Sequence, residues 1–123
     1  MKKNPVGWFE IYVDDMKRAK TFYETVFKTK LEKLSGNNPV MWAFPGSMTG
    51  RGSTGALVKM KGFGAGGNST LVYFRCADCA VETARAVEAG GRVQKKKFSI
   101  GEWGFISLVV DTEGNMIGLH SMK

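Results

Sequence analysis

The chain has 123 residues, 43% of them hydrophobic, and this length and composition suit one globular domain. Eighteen basic and eleven acidic residues give a formal net charge of +7, which attracts anions but does not by itself indicate nucleic-acid binding. No apolar run reaches the roughly 20 residues that cross a membrane, and the basic start of the chain lacks the apolar stretch of a signal peptide. We therefore expect a cytoplasmic protein that binds neither nucleic acid nor a membrane.

The first patterned stretch covers residues 8–27, WFEIYVDDMKRAKTFYETVF, and predicts a strand, an acidic turn and an amphipathic helix. Side chains alternate along the strand, so the apolar residues at 9, 11 and 13 face one way, and Trp8, Glu10 and Tyr12 face the other. Because a helix covers only one face of a strand, the face with Glu10 is left to line a pocket.

The helix begins at Asp14 or Asp15, since either carboxylate can accept a hydrogen bond from the first turn. Its apolar residues are spaced i, i+3, i+4 and i+7 and predict one stripe that packs on the strand: Ala19, Phe22, Tyr23 and Val26. Further strands are predicted at 28–34, 40–44 and 56–60. The glycine-rich segment after them matches GxGxxG, but a strand follows it instead of a helix, so we interpret it as a linker.

At Leu71 the opening pattern returns as LVYFRCADCAVETARAVEAGG, which again reads as strand, acidic turn and helix. Asp15 and Asp78 lie 63 residues apart. The same shift maps Trp8, Glu10 and Tyr12 onto three positions of the second half: Leu71, Tyr73 and Arg75. The second helix has a predicted stripe of Ala80, Ala84 and Val87, and it ends at a Gly-Gly pair. Later strands are predicted at 92–96, 105–110 and 116–122.

An internal repeat of this length predicts an α+β fold made of two tandem βαβββ modules that curl around a shared cavity. We expect residues 1–123 to form a single domain. Module one covers residues 5–61, the glycine-rich linker covers 62–69, and module two covers 70–123.

Cys76 and Cys79 form the sequence Cys-Ala-Asp-Cys at the start of the second helix. A structural zinc ion needs about four ligands, and the chain contains no second pair of cysteines. A helix start can lower the pKa of a thiol and favour redox chemistry. Cys76, however, falls on the strand face that packs on the helix, so we interpret both residues as reduced structural cysteines.

The duplicated pattern, with DDMKRAKTFYETVF in the first half and VVDTEGNMIGLHS at the end, resembles the vicinal oxygen chelate superfamily. This superfamily contains glyoxalases, bleomycin-resistance proteins, fosfomycin-resistance enzymes and extradiol dioxygenases, and the resemblance covers essentially the whole chain. It implies paired βαβββ modules around a U-shaped cavity in a protein that is usually dimeric, so we expect a homodimer. In the metal-dependent members a divalent ion is held by His or Glu from the first and last strand of each module.

Carried over by position, the first-strand ligands fall on Trp8 and Leu71, and the last-strand ligands fall on Gly118 and near 56–58. None of these positions offers a donor of the kind that a transition metal requires. The indole nitrogen of Trp8 can only donate a hydrogen bond. We therefore expect no metal and no cofactor, and we do not expect the usual glyoxalase or dioxygenase chemistry.

The residues that we predict to bind a ligand are Trp8, Glu10, Tyr12, Trp42, Tyr73, Arg75 and His120. Aromatic rings with a few polar groups are typical of small-molecule pockets. Glu10 can hold a cation beside the ring of Trp8. His120, the only histidine, and Glu10 are also the candidate catalytic acid and base.

The sequence leaves three functions open. The first is a metal-independent small-molecule-binding protein with an aromatic or cationic ligand, as in the bleomycin-resistance members. The second is a glyoxalase-like enzyme of the lyase, isomerase or dioxygenase class, in which Glu10 and His120 serve as acid-base groups or unorthodox metal ligands. The third is a pocketless scaffold or regulatory domain, in which Glu10 pairs with Arg75 or Lys59 and the rings fill the core.

Overall fold

The computed structural model describes residues 4–47, 49–66 and 70–123, and the chain divides into two compact units. The first unit is Trp8–Thr70; the second unit is Leu71–Lys123 together with the segment that ends at Gly7. The fold is α+β and repeats the order βαβββ, as the sequence predicts. The shared cavity and the action of residues 1–123 as one domain stay predictions.

The first unit has its strands in the order β2-β3-β4-β1, with β1 and β4 parallel and the other neighbours antiparallel. Its elements are β1 (Val6–Tyr12, of which Trp8 onwards belongs to this unit), α1 (Met16–Phe27), β2 (Glu32–Lys33), β3 (Val40–Ala43) and β4 (Thr54–Lys59). Of the predicted 28–34 strand, only Glu32–Lys33 form β2. The left-handed conformation of Lys28 (φ 50°) still belongs to the end of α1.

The second unit repeats this arrangement in the order β5-β8-β7-β6, with β5 and β8 parallel and the other neighbours antiparallel. Its elements are β5 (Thr70–Arg75), α2 (Cys79–Glu88), β6 (Arg92–Ser99), a 3-10 turn (Gly101–Trp103), β7 (Phe105–Val110) and β8 (Met116–Ser121). No helix in the described ranges is long and apolar enough to cross a membrane.

Helix α1 is capped by Asp15 and not by Asp14, since an Asp15 carboxylate oxygen accepts from the backbone N–H of Arg18 at 3.0 Å. The predicted stripe is wrong in two positions, because Phe22 and Val26 are 57% and 53% exposed. The residues that pack on the buried cluster of Val13, Leu31 and Leu57 are instead Met16, Ala19 and Tyr23. Successive residues of a helix are about 100° apart, so Phe22 points away from the cluster that Tyr23 contacts.

Helix α2 is capped by Asp78, which accepts from the backbone N–H of Ala80 at 3.0 Å. Its predicted stripe of Ala80, Ala84 and Val87 is also wrong. All three are exposed, and the residues that face the sheet are Cys79, Thr83 and Ala86. Thr83 can be buried because its hydroxyl donates to the Cys79 carbonyl oxygen and lies 2.7 Å from the hydroxyl of Ser107.

Candidate functional site

In each unit the sheet has one face that the helix covers and an opposite face, which we call the non-helical face. On the non-helical face of the first unit, the Glu10 carboxylate accepts two hydrogen bonds from its neighbours along β1. One comes from the indole nitrogen of Trp8 at 3.0 Å, and the other comes from the Tyr12 hydroxyl at 2.7 Å. The alternation of the strand creates this arrangement, because residues two apart point to the same side. The structure thus brings three predicted site residues into direct contact.

The strand partners of Glu10 and Tyr12 on β4 are buried apolar residues. In the parallel pairing with β4, Glu10 is opposite Ala56, which is fully buried, and Tyr12 is opposite Val58, which is 1% exposed. Burial raises the pKa of the Tyr12 phenol well above its ordinary value, and the neighbouring Glu10 carboxylate raises it further. Tyr12 therefore stays protonated and acts as a hydrogen-bond donor to Glu10.

Trp42, predicted as a ligand-binding residue, does not lie with Glu10. Its strand partner is Leu57, and its ring packs against the buried cluster beneath α1. The Lys20 ammonium nitrogen on α1 lies 3.4 Å from the centre of that ring. The structure therefore places Trp42 on the helix-covered face, where it supports α1.

In the second unit, the ring of Tyr73 lies over Gly118. A Cβ atom built on Gly118 would be 2.2 Å from a ring carbon of Tyr73, so only glycine fits at this position. Tyr73 is 6% exposed and is opposite Gly118 in the pairing of β5 with β8. Its ring fills the space that a larger residue at position 118 would occupy.

Arg75 is held by the N-terminal segment of its own unit. Its side chain lies over Gly7, where a Cβ would be 2.4 Å from the guanidinium Nε, and its Nη1 donates to the Asn4 carbonyl oxygen at 3.3 Å. Its backbone N–H donates to the carbonyl oxygen of Pro5 at 2.9 Å. These contacts give Arg75 a structural role; a ligand contact stays a prediction.

Lys59 is the other residue that the sequence suggested as an ion-pair partner of Glu10. Its ammonium group donates to the backbone oxygen of Asp14 at 2.6 Å.

His120 lies on β8 opposite Arg75 of β5, and its Nε2 lies 2.6 Å from the carbonyl oxygen of Trp103. Because a carbonyl oxygen only accepts, Nε2 must carry a hydrogen, and Nδ1 is the nitrogen left for proton transfer in the neutral ring. Trp103 is not among the residues predicted from the sequence. A large aromatic residue in the short Gly101–Gly104 turn was the signal that could have found it. Trp103 is 56% exposed in the structure.

The two cysteines have the properties of structural residues. Cys79 is fully buried, and both thiols are free. Burial raises the pKa of Cys76 to about 11, and the neighbouring Glu82 raises it as well. A thiol with such a pKa is almost entirely protonated near neutral pH, so it is a poor nucleophile.

The register of the sheets completes the set of positions that the family resemblance assigns to a metal. Glu10 opposes Ala56 as Tyr73 opposes Gly118, so the position near 56–58 is Ala56. The four positions are therefore Trp8, Ala56, Leu71 and Gly118. They offer one hydrogen-bond donor, two buried apolar side chains and a glycine that a tyrosine ring covers, so they do not fit a divalent ion. In the described ranges, no three His, Cys, Asp or Glu residues form a metal-binding group.

A cavity of about 440 Å³ lies beside the start of α1 in the first unit. Its lining combines apolar and aromatic side chains of β1 and α1, among them Ile11, Phe22 and Tyr23, with charged groups at Asp14, Asp15 and Arg18. Tyr12 also lines it. This groove is therefore a second place in the first unit where a small molecule can be tested.

Several solved structures share the fold. The methylmalonyl-CoA epimerase from Mycobacterium tuberculosis has 13% identity and a TM-score of 0.67, over 97% of this chain and 88% of that one. A point variant of the Streptomyces coelicolor methylmalonyl-CoA epimerase, in complex with 2-nitronate-propionyl-CoA, has 15% identity and a TM-score of 0.68, over 95% and 96%. An uncharacterized protein from Methanosarcina mazei has 16% identity and a TM-score of 0.61, over 100% and 95%. At such identities the likeness shows the fold alone.

Among curated proteins, none matches the chain. The sequence profile of the Glyoxalase/Bleomycin resistance protein/Dioxygenase superfamily matches residues 6–119, which is nearly the whole chain. The family that the repeat and the hairpin motif indicate is thereby confirmed. The protein belongs to the glyoxalase/bleomycin resistance/dioxygenase superfamily.

Proposed function

We propose that the protein is a metal-independent small-molecule-binding member of this superfamily, and that Glu10 binds a positively charged aromatic ligand. The observation that carries the proposal is the Glu10 carboxylate, held at 3.0 Å and 2.7 Å by Trp8 and Tyr12 above the buried Ala56 and Val58. A negative charge beside two rings on an apolar floor is the chemistry that recognises an organic cation.

The hydrogen bonds make this group ready to bind. They fix the carboxylate and orient both rings before a ligand arrives, so less rotational freedom is lost on binding. A cation would be attracted both by the Glu10 charge and by the faces of the two rings. Tyr12 and Trp8 thus serve two purposes, since each ring can contact a ligand while its polar atom orients Glu10.

The second candidate is an enzyme that uses acid-base chemistry without a metal, and the geometry of His120 favours it. The contact of Nε2 with Trp103 leaves Nδ1 as the basic atom of the neutral ring. One similar structure is a methylmalonyl-CoA epimerase bound to an acyl-CoA analogue, so methylmalonyl-CoA is a suitable test substrate. In this case, His120→Gln should abolish turnover and leave the binding of the substrate intact.

The first experiment is native mass spectrometry of freshly purified, tag-free protein, where we expect a metal-free homodimer that retains an organic cation.

The second experiment is calorimetric titration with three benzene derivatives that differ in charge: benzyltrimethylammonium, benzyl alcohol and benzoate. We expect the cation to bind best, and we expect Glu10→Gln to weaken its binding by about tenfold or more, the effect of losing about 1.4 kcal/mol.

Phe27→Ala is the matched control, because Phe27 is an aromatic residue of the first unit, 64% exposed, that lies outside both the Glu10 cluster and the groove. It should bind the cation as the wild type does. Equal affinity of Glu10→Gln and the wild type would overturn the proposal. If Phe22→Ala weakens binding and Glu10→Gln does not, the groove beside α1 is the site.

A further inference from the structure

The groove beside the start of α1 is lined by three segments of the first unit. They are the end of β1 with the acidic turn after it, the first half of α1, and the described part of the linker, residues 62–66. The linker contributes Ala65 and Gly66, and the backbone N–H of Ala65 donates to the Asp14 carboxylate at 3.0 Å. Part of the linker is therefore bound to the acidic turn and closes one side of a cavity of about 440 Å³.

This groove is separate from the non-helical face. Ile11, Ala19 and Tyr23 line it, and the same residues pack on the buried cluster beneath α1. The groove therefore lies on the helix-covered side of β1, and Glu10 is not among its lining residues. A ligand here would meet different groups from a ligand at Glu10.

The apolar part of the groove is rich in aromatic rings. The ring centres of Phe22 and Tyr23 are 5.1 Å apart in an edge-to-face arrangement. Phe22 is 57% exposed, so much of its ring remains available for contact. Aromatic rings gain free energy from such contacts beyond the area that they bury. The cavity volume also falls within the range of about 300–1,000 Å³ that small-molecule sites have.

The polar part of the groove carries charges of both signs: Asp14, Asp15 and Arg18. The backbone N–H of Arg18 lowers the pKa of Asp15 most, and the nearby Arg18 guanidinium lowers it further. In the described ranges, however, this guanidinium has neither an ion pair nor a hydrogen bond of its own. The cation and the carboxylates therefore line the same groove without neutralising each other by direct contact.

This charge pattern selects one kind of ligand. An organic cation would lie near the Arg18 guanidinium, an organic anion would lie near two carboxylates, and like charges weaken binding in both cases. A zwitterion avoids both conflicts, since its carboxylate can accept two hydrogen bonds from a guanidinium while its ammonium meets a carboxylate. We propose that the groove binds a free aromatic amino acid. Arg18 binds its carboxylate, Asp14 and Asp15 attract its ammonium, and Phe22 contacts its ring.

The test is calorimetric titration of the full chain with three probes that share one ring: L-phenylalanine, L-phenylalaninamide and N-acetyl-L-phenylalanine. The amide lacks the carboxylate charge, and the acetyl compound lacks the ammonium charge. We expect L-phenylalanine to bind about tenfold more tightly than either, because it alone forms both charge-assisted contacts.

Variants of the charged residues assign each contact. Arg18→Met should weaken the binding of L-phenylalanine about tenfold, to the level of the amide. The double variant Asp14→Asn/Asp15→Asn should lower it to the level of the acetyl compound, while each asparagine keeps an acceptor for the backbone N–H that the aspartate binds. Lys17→Met is the matched control, since Lys17 is an exposed cation of α1 that does not line the groove.

The titrations can contradict the proposal in several ways. It is wrong if L-phenylalanine does not bind, or if it binds no better than the two analogues. It is also wrong if Arg18→Met weakens binding no more than Lys17→Met, or if Phe22→Ala binds L-phenylalanine as the wild type does. Glu10→Gln should bind L-phenylalanine unchanged, so the outcome is independent of the organic-cation site proposed at Glu10.

Discussion

In the first unit, the carboxylate residue Glu10 lies opposite Ala56 of β4. In the second unit, the aromatic residue Tyr73 lies opposite Gly118 of β8. The two positions are equivalent in the repeat, but their chemistry differs. The Glu10 carboxylate accepts hydrogen bonds from Trp8 and Tyr12 on the non-helical face. Tyr73 is nearly buried, and its ring closes over a glycine.

This difference shows how a repeat can keep its architecture while its faces diverge. The helix-covered faces stay alike, since Leu57 and Leu119 occupy equivalent positions in two buried clusters. These faces must exclude water, which leaves few alternatives to apolar side chains. The non-helical faces carry the differences in charge, hydrogen bonding and ring placement, and this is where we place ligand recognition.

The largest loss of stability is expected in the buried clusters on the helix-covered faces, where the two units are alike. Leu57→Ala and Leu119→Ala should each lower the free energy of unfolding by about 2–5 kcal/mol, because each leaves a cavity in a buried cluster. Leu57 is fully buried and Leu119 is 6% exposed. Urea unfolding measures the loss, and Met122→Ala, at a position 64% exposed, is the control. A loss below about 1 kcal/mol in either leucine variant would contradict the equivalence of the two clusters.

The next largest loss of stability is expected at Gly118, where the second unit differs from the first. Gly118→Ala should lower the free energy of unfolding by about 1–3 kcal/mol, because the new methyl group displaces the Tyr73 ring. Ala56→Gly, the reverse change at the equivalent position, should cost about 1 kcal/mol through backbone freedom and lost burial. In a Tyr73→Ala background the cost of Gly118→Ala should shrink. Additive losses in this double-mutant cycle would show that the ring does not occupy the glycine position.

The hydrogen bonds of Glu10 should produce a smaller, pH-dependent effect. Tyr12→Phe removes one donor to the carboxylate and should cost about 1–2 kcal/mol at neutral pH. In the folded protein the pKa of Tyr12 is raised above its ordinary value of 10.0. Its contribution to stability is therefore complete below pH 10 and is lost as the pH rises above that value.

Unfolding curves at several alkaline pH values test this linkage. The wild type should lose stability above pH 10 more steeply than Tyr12→Phe, which lacks the titrating group. Tyr23→Phe is the matched control on α1, and it should keep the steep loss. If Tyr12→Phe and the wild type had parallel profiles, Tyr12 would not be the protonated donor that the structure describes.

The sequence predicts the repeat, the acidic turn before each helix and the shared side of Trp8, Glu10 and Tyr12, because these depend on alternation and on local turn chemistry. It fails on the rotation of the helices: Phe22 and Ala84 were expected to face the sheet and are exposed. The apolar stripe of a short helix is wide, and the sheet selects one line of contact within it. Thr83 escapes a hydrophobicity pattern because its burial depends on a partner hydroxyl 24 positions away.

Other features depend on contacts that no local pattern contains. Asp15 and Asp78 are 63 residues apart, whereas the equivalent last-strand residues Ala56 and Gly118 are 62 apart, so one shift cannot place the whole second unit. Only the strand pairing identifies Ala56 as the counterpart of Gly118. The contact of His120 with Trp103 likewise requires the folded turn.

The smallest effect is expected at the helix caps, where the units again differ in one contact. Asp15 accepts from the backbone of Arg18, which lowers its pKa; the pKa of Asp78 is lowered first by Lys97, whose ammonium lies 2.8 Å away, and then by the backbone N–H of Ala80. Both carboxylates therefore stabilise the fold above their ordinary pKa of 3.8, and the contribution is lost as the pH falls below it.

Thermal unfolding of Asp15→Ala and Asp78→Ala at pH 7 should show lower midpoints than the wild type, with the larger decrease for Asp78→Ala because it also loses the ion pair. In strong acid both differences should shrink, since the wild-type carboxylates are then protonated. Lys97→Met separates the two contributions of Asp78: it should remove the excess loss and leave the two caps equal. An excess that persists in the Lys97→Met background would mean that α2 depends on its cap more than α1 does, and that the helix-covered faces are less alike than their leucines indicate.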